Sequence, residues 1–182
     1  YFSSKNELLI SIFKTISEEI EKELNELLIG QDPRDLEIFI KQIELQTEKN
    51  HVNKISALFG EVFVSDDEEL KQYISKIHLR MLRWIFRRFV DIFGEEKKPY
   101  LLDCTIMFAS FLNHSLRYFP HSNEWKENLR RIIRYSMNRI VNIVEDVSAS
   151  GEQLIPPEKL DEWLAEDRNV PRTFHDDLHR TI

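Results

Sequence analysis

Apolar residues recur every three or four positions along most of the chain, the period of an amphipathic helix. The first stripe is Leu8, Leu9, Ile12, Phe13, Ile16, Ile20, Leu24 and Leu27. It predicts a helix over residues 4–28 with an acidic outer face and a stop at Gly30. Asp32-Pro33 suits a new helix start, and Leu36, Phe39, Ile40 and Ile43 carry that helix inward to about Asn50. A shorter third helix is predicted over 52–64, interrupted by Gly60. The run Ser65-Asp66-Asp67-Glu68-Glu69 opens a fourth, because acids suit the positive end of the helix dipole. That helix ends at Phe93 with Gly94 as its cap. Its second half is apolar nearly all round, and Arg80, Arg83, Arg87 and Arg88 are read as its remaining surface. Two further helices follow over about 98–119 and 122–147, separated by Pro120. Ser148 to Gly151 reads as a linker, Pro156-Pro157-Glu158 as the start of a short last helix, and the end from Asn169 has no period. The pattern is that of an all-α protein with six main helices and a short C-terminal one.

The first residues carry a second signal. Ser4 and Glu7 have the spacing of a capping box, and Phe2 stands where it would staple onto Leu8 or Leu9. The string Tyr1-Phe2-Ser3-Ser4-Lys5-Asn6-Glu7-Leu8 resembles the end of the helix-turn-helix in tetracycline-repressor-like (TetR-type) bacterial regulators. Only Asn6 departs, where an acid is commoner. The match covers about nine residues and is narrow. It implies that residues 1–5 are a remnant of a DNA-binding head, that 6–150 bind a ligand and dimerise, and that 151–182 form a tail. By the same match Tyr1 and Lys5 would touch DNA phosphates, which position a protein without reading sequence.

Composition is consistent with that division. Against 32 acids stand 25 Lys and Arg, a net charge of −7. Such a chain by itself lacks the basic surface that phosphate contacts need, so DNA binding would belong to a preceding module. One cysteine, Cys104, excludes an internal disulfide and fits a reducing cytoplasm. Among the four glycines none forms a phosphate-cradling loop. No apolar run is long enough to cross a membrane. The tail carries eight acids against four bases, and Trp163 would dock it, on this subunit or across onto a second one.

Catalytic chemistry finds little to assemble from. Glu48 and His51 have one half of a di-iron spacing, and His175 and His179 sit four apart in a polar terminal stretch. Neither set is complete, so no metal, no cofactor and no enzyme activity is expected. Aromatic and soft side chains are more informative. Phe59 and Phe63, then Tyr73, His78, Met81 and Trp84, then Cys104, Met107, Phe108, Phe111 and His114 would line one cavity if their helices face each other. Pockets for small molecules are mostly apolar with a few polar groups, although aromatics at helical spacing more often mark plain core. The resemblance raises the pocket, since TetR-type bodies bind an inducer between such helices. It also implies a homodimer through a four-helix bundle of the last two long helices. Phe111, Leu112 and Leu116 would contribute from one, and Trp125, Leu129, Ile133, Met137, Ile140 and Val144 from the other. Arg130, Arg131, Arg134 and Arg139 would pair with acids across that dimer or simply face solvent. The implied function is a repressor whose effector moves the first helix and releases operator DNA. A helical interaction module unrelated to DNA, and less plausibly a helical-bundle enzyme, are the alternatives.

Overall fold

A computed structural model describes residues 5–55, 58–59, 62, 67–118 and 124–169. The described residues are all-α. Their helices are α1 (Lys5–Glu26), α2 (Leu36–Val52), α3 (Glu68–Phe93), α4 (Lys98–Leu116), α5 (Trp125–Ser150) and α6 (Glu158–Asn169), with a 3₁₀ turn at Glu95–Lys97 before α4. Between α2 and α3, Ile55, Leu58, Phe59 and Val62 are helical, where the third helix was expected. Gly60 and the proposed cap at Ser4 lie outside the described residues.

Local chemistry sets most boundaries. The start of α2 falls three residues later than Asp32-Pro33 suggests. Asp32 instead accepts from the Arg34 amide at 2.9 Å, building a turn, and Asp35 caps α2 by accepting from the Glu37 amide at 2.8 Å. Asp67 caps α3 by accepting from the Leu70 amide at 2.8 Å. Gly94 closes α3 at φ 96°. The expected linker at 148–150 is the last turn of α5. Ser148 and Ser150 turn their hydroxyls back onto the carbonyls of Val144 and Val147, which keeps short polar residues helical. The stop is Gly151, in the left-handed conformation at φ 73°.

Two hydrophobic clusters result. The larger joins α2, α3, α4, α5 and Leu160 of α6. At its centre Phe39, Phe89 and Phe108, all at 0% exposure, form a triangle with ring centres 5.5–5.8 Å apart. The smaller lies under the N-terminal half of α1, where Phe13 packs with Ile55, Val62, Leu70 and Ile74. α1 therefore rests on the small cluster along its first half, while Ile20 and Leu24, buried further along, belong to neither cluster.

The C-terminal segment folds back on its own chain. Leu160 is buried, and Trp163 and Leu164 pack on the large cluster. The Leu154 and Ile155 amides donate to the Asp103 carboxylate at 2.8 and 3.1 Å, and Arg83 pairs with Asp161 at 3.7 Å. The stretch from 170 onward lies outside the described residues, so a crossing of the tail concerns only that part. Truncating an aromatic at the cluster's centre leaves a cavity that close-packed helices fill poorly. Phe89→Ala is expected to lower unfolding stability by about 3–5 kcal/mol in urea titration; a loss below about 1 kcal/mol would show that the triangle is not closely packed.

Candidate functional site

The end of α1 is held by a buried polar chain. After Glu26 the helix tightens, and the Leu28 amide turns to the Asn25 carbonyl at 3.0 Å. The Leu24 carbonyl is taken instead by Gln42 of α2, whose Nε2 donates to it at 2.8 Å. Gln42 Oε1 in turn accepts from Arg88 Nε of α3 at 3.0 Å. Arg88 Nη1 donates to the Pro33 carbonyl at 2.9 Å and to Asp91 at 2.7 Å. One guanidinium thus ties α1, the α1–α2 connection, α2 and α3 together. Arg88 is only 4% exposed, which corrects its assignment to the surface of α3. A buried charge is tolerated when paired and hydrogen-bonded, and here the partners converge from three segments.

Ion pairs reinforce the same frame. Lys49 of α2 clamps Glu19 and Glu23 of α1 at 3.2 and 2.7 Å. Along α2 and α5 an antiparallel ladder pairs Glu37 with Arg134 in a bidentate fork at 2.7 and 2.8 Å, Glu44 with Arg130 at 3.6 Å and Glu48 with Lys126 at 3.4 Å. The fork lowers the Glu37 pKa through its hydrogen bond from Arg134. At the ladder's end His51 stacks on Trp125 at 4.2 Å. Arg130 and Arg134 therefore pair within the chain, and Glu48 and His51 make separate contacts. Among the described residues no three metal-ligating side chains converge; His175 and His179 lie outside them. The groove of about 810 Å³ between α1, α2 and α5 is lined by charges of both signs, unlike an apolar ligand pocket.

The predicted pocket residues separate into three places. Phe59, Tyr73 and His78 belong to the small cluster or its edge, with Phe13–Phe59 rings at 5.4 Å and Phe59–His78 at 5.1 Å. Burial raises the Tyr73 pKa. Met81, Trp84, Cys104 and Phe108 belong to the large cluster. Met107, Phe111 and His114 are exposed on the outer side of α4, and His114 meets the Tyr118 hydroxyl at 3.1 Å. Phe63 lies outside the described residues. The expected single cavity is not formed by the residues described, because their helix faces point apart. Cys104 is fully buried, and burial together with the Asp103 charge pushes its thiol up to about 11.

The predicted interface divides as well. Leu112, Leu129, Ile133, Met137, Ile140 and Val144 are 3% exposed or less, covered by their own chain, so they are withdrawn as a surface for a partner. Leu116 and Trp125 are half-buried, and Phe111 alone is well exposed, at 45%. The outward face of α4 and α5 is instead Met107 and Phe111 with Tyr135 and half-buried Ile132. Phe111 and Tyr135 meet at 6.0 Å, and Arg139 lies over the Tyr135 ring at 5.6 Å. A depression of about 610 Å³ there is lined by Phe111, Ile132, Tyr135 and polar neighbours. The residues that sequence reasoning passed over are Gln42, Gln46, Ile132 and Tyr135. The two glutamines had a usable signal, since each is a polar residue at a core position of the α2 stripe.

Comparison with known proteins adds one likeness. The chain is 25% identical over 156 residues, 83% of its length, to a Bacillus subtilis (strain 168) protein described as an uncharacterized HTH-type transcriptional regulator, YerO. The match covers 53% of that relative, so the chain spans about half its length. No family model matches the chain, and no solved structure does. No described helix is long and apolar enough to cross a membrane.

Two outcomes follow from the buried groups. Arg88→Ala leaves Gln42 Oε1 and the Pro33 carbonyl without their donor, and is expected to cost about 1–3 kcal/mol; an unchanged denaturation midpoint would contradict the network. Cys104, buried and protonated at neutral pH, is expected to react with a thiol reagent only at the rate of unfolding. Rapid stoichiometric labelling of the native chain would show that α4 is not covered as described.

Proposed function

We propose that this chain is the regulatory body of a ligand-responsive transcriptional repressor of the TetR type, with no catalytic role. The likeness to a helix-turn-helix regulator over most of the chain carries the reading. The string from Tyr1 to Leu8, the all-α body and the acidic charge support it. DNA contact would fall to a preceding basic module, with Lys5, exposed at the start of α1, beside the phosphates.

In this reading α1 is the lever between effector and DNA. Its end is fixed by Gln42 and Lys49, while its first half lies on the small cluster and Asn6 donates to Asp67 at the start of α3. A ligand that favours one packing of α2 and α3 over another shifts α1 and the module attached to it, by its differential affinity for the two states. Two such modules must keep a fixed spacing to reach successive half-sites on DNA. That requirement calls for a dimer, and the face carrying Met107, Phe111, Ile132 and Tyr135 suits a two-fold contact in which the same patch meets itself.

Light scattering tests the dimer. The chain is expected at twice its 21.9 kDa at micromolar concentration, and Phe111→Arg combined with Tyr135→Arg to return it to one copy without loss of helix content. A wild-type monomer would overturn the proposed interface. The regulator reading itself is tested by selecting DNA fragments with the full gene product. Recovery of a two-fold symmetric site is expected, and no enrichment over random DNA would refute it.

A further inference from the structure

The seam between α2 and α3 contains a side chain that the fold does not satisfy. Gln46 follows Gln42 by one turn on α2 and meets α3 at Met81, where its Nε2 donates to the Met81 sulfur at 3.2 Å. A thioether is a weak acceptor. The other end of the amide, Oε1, is buried, and no donor among the described residues reaches it. With Nε2 turned to the Met81 sulfur, the acceptor end of the amide is left without a donor. Buried amides of this kind are rare enough to need an explanation. The surroundings are apolar and aromatic: Trp84, one turn from Met81, stacks on Phe39 with ring centres 5.9 Å apart. Gln46, Met81 and Trp84 are each only half-buried. Further toward the start of α3, Tyr73 and Ile77 belong to the small cluster, whereas Met81 and Trp84 belong to the large one. The amide thus lies where the two cores meet.

We propose that Gln46, at the crossing of α2 and α3 beside Met81 and Trp84, is the polar contact of a binding site for a small flat aromatic molecule carrying a hydrogen-bond donor. The donor meets Oε1, and the ring replaces the Met81 side chain against Trp84. Methionine suits this role, since its unbranched thioether swings aside at little cost and its contact with Nε2 is the weakest of the seam. The location couples the site to α1. Gln42, one turn away, holds the Leu24 carbonyl, so parting α2 from α3 at Gln46 strains the same seam that holds α1. The inference gives the ligand-responsive reading its contact residue and rests on that reading only for the effect on DNA.

Indole and benzothiophene share a shape and differ in one N–H, so they serve as probes of the purified chain. By thermal shift and calorimetry indole is expected to bind the wild type at least tenfold more tightly than benzothiophene, as a site built around a hydrogen bond should. Gln46→Leu is expected to bring the two within about twofold while unfolding at no lower a temperature, because it removes an unpaired buried acceptor. In nitrogen-resolved NMR, indole should shift the Gln46 side-chain amide and the Trp84 indole signals, a readout that holds even if the variant does not fold. Failure of both probes to bind, equal binding of both to the wild type, or retained preference in Gln46→Leu would overturn the proposal. These readouts use no DNA. A regulator reading that fails leaves them standing, and their failure leaves that reading with a different effector site.

Discussion

One buried arginine sets the geometry of the body. Arg88 has partners from the α1–α2 connection, from α2 and from its own helix, and through Gln42 it reaches the end of α1. None of these partners alone would repay the desolvation of a guanidinium. Together they take its Nε and Nη1 donors, although Nη2 is buried without a partner among the described residues, and they also cover a helix-end carbonyl that the tightened last turn of α1 leaves free. Hydrophobic burial makes the four-helix core stable, as the Phe39–Phe89–Phe108 triangle shows. It is poor at defining direction, because apolar contacts slide. The network supplies direction, by fixing where α1 leaves the body.

That division of labour suits the regulatory role proposed for the body. The first half of α1 packs on its own small cluster, and its second half is held by hydrogen bonds and the Lys49 clamp. In the proposed reading a helix supported in two different ways along its length would have its fulcrum at the held carbonyl of Leu24. The ladder from Glu37–Arg134 to Glu48–Lys126 joins α2 to α5, and α5 with α4 carries the exposed aromatic face. The same α2 therefore touches α1, the core and the helix of the proposed interface. Exposed ion pairs contribute little stability singly, but a run of them fixes register between two long helices.

Much of this was legible in the chain, and the rest was hidden for identifiable reasons. Helix positions followed from the 3.6-residue period, and the stop at Gly94 from glycine's tolerance of positive φ, whereas the helix read as ending at 147 runs on to Ser150 because its serines bond back to helix carbonyls. The start of α2 was misplaced because Asp32 and Asp35 both suit a cap, and only the turn shows which amide each one meets. The stripe Leu129, Ile133, Met137, Ile140, Val144 was expected to be covered by a second copy, and the chain's own helices cover it. A stripe says that a face is buried, not whether the cover is the same chain or another. The pocket residues were grouped by type along three helices, and type says nothing of the direction each helix faces. Arg88 was assigned to solvent with its three neighbours because charge is usually exposed. Two of its partners come from residues 33 and 42, far away in sequence.

Amide hydrogen exchange along α1 is the most direct test of the fulcrum. Comparing wild type with Arg88→Met, exchange is expected to accelerate in the C-terminal half of α1 and in residues 31–35, with α4 and α5 unchanged. Uniform acceleration over all helices, or none in α1, would contradict the claim that this arginine fixes the lever.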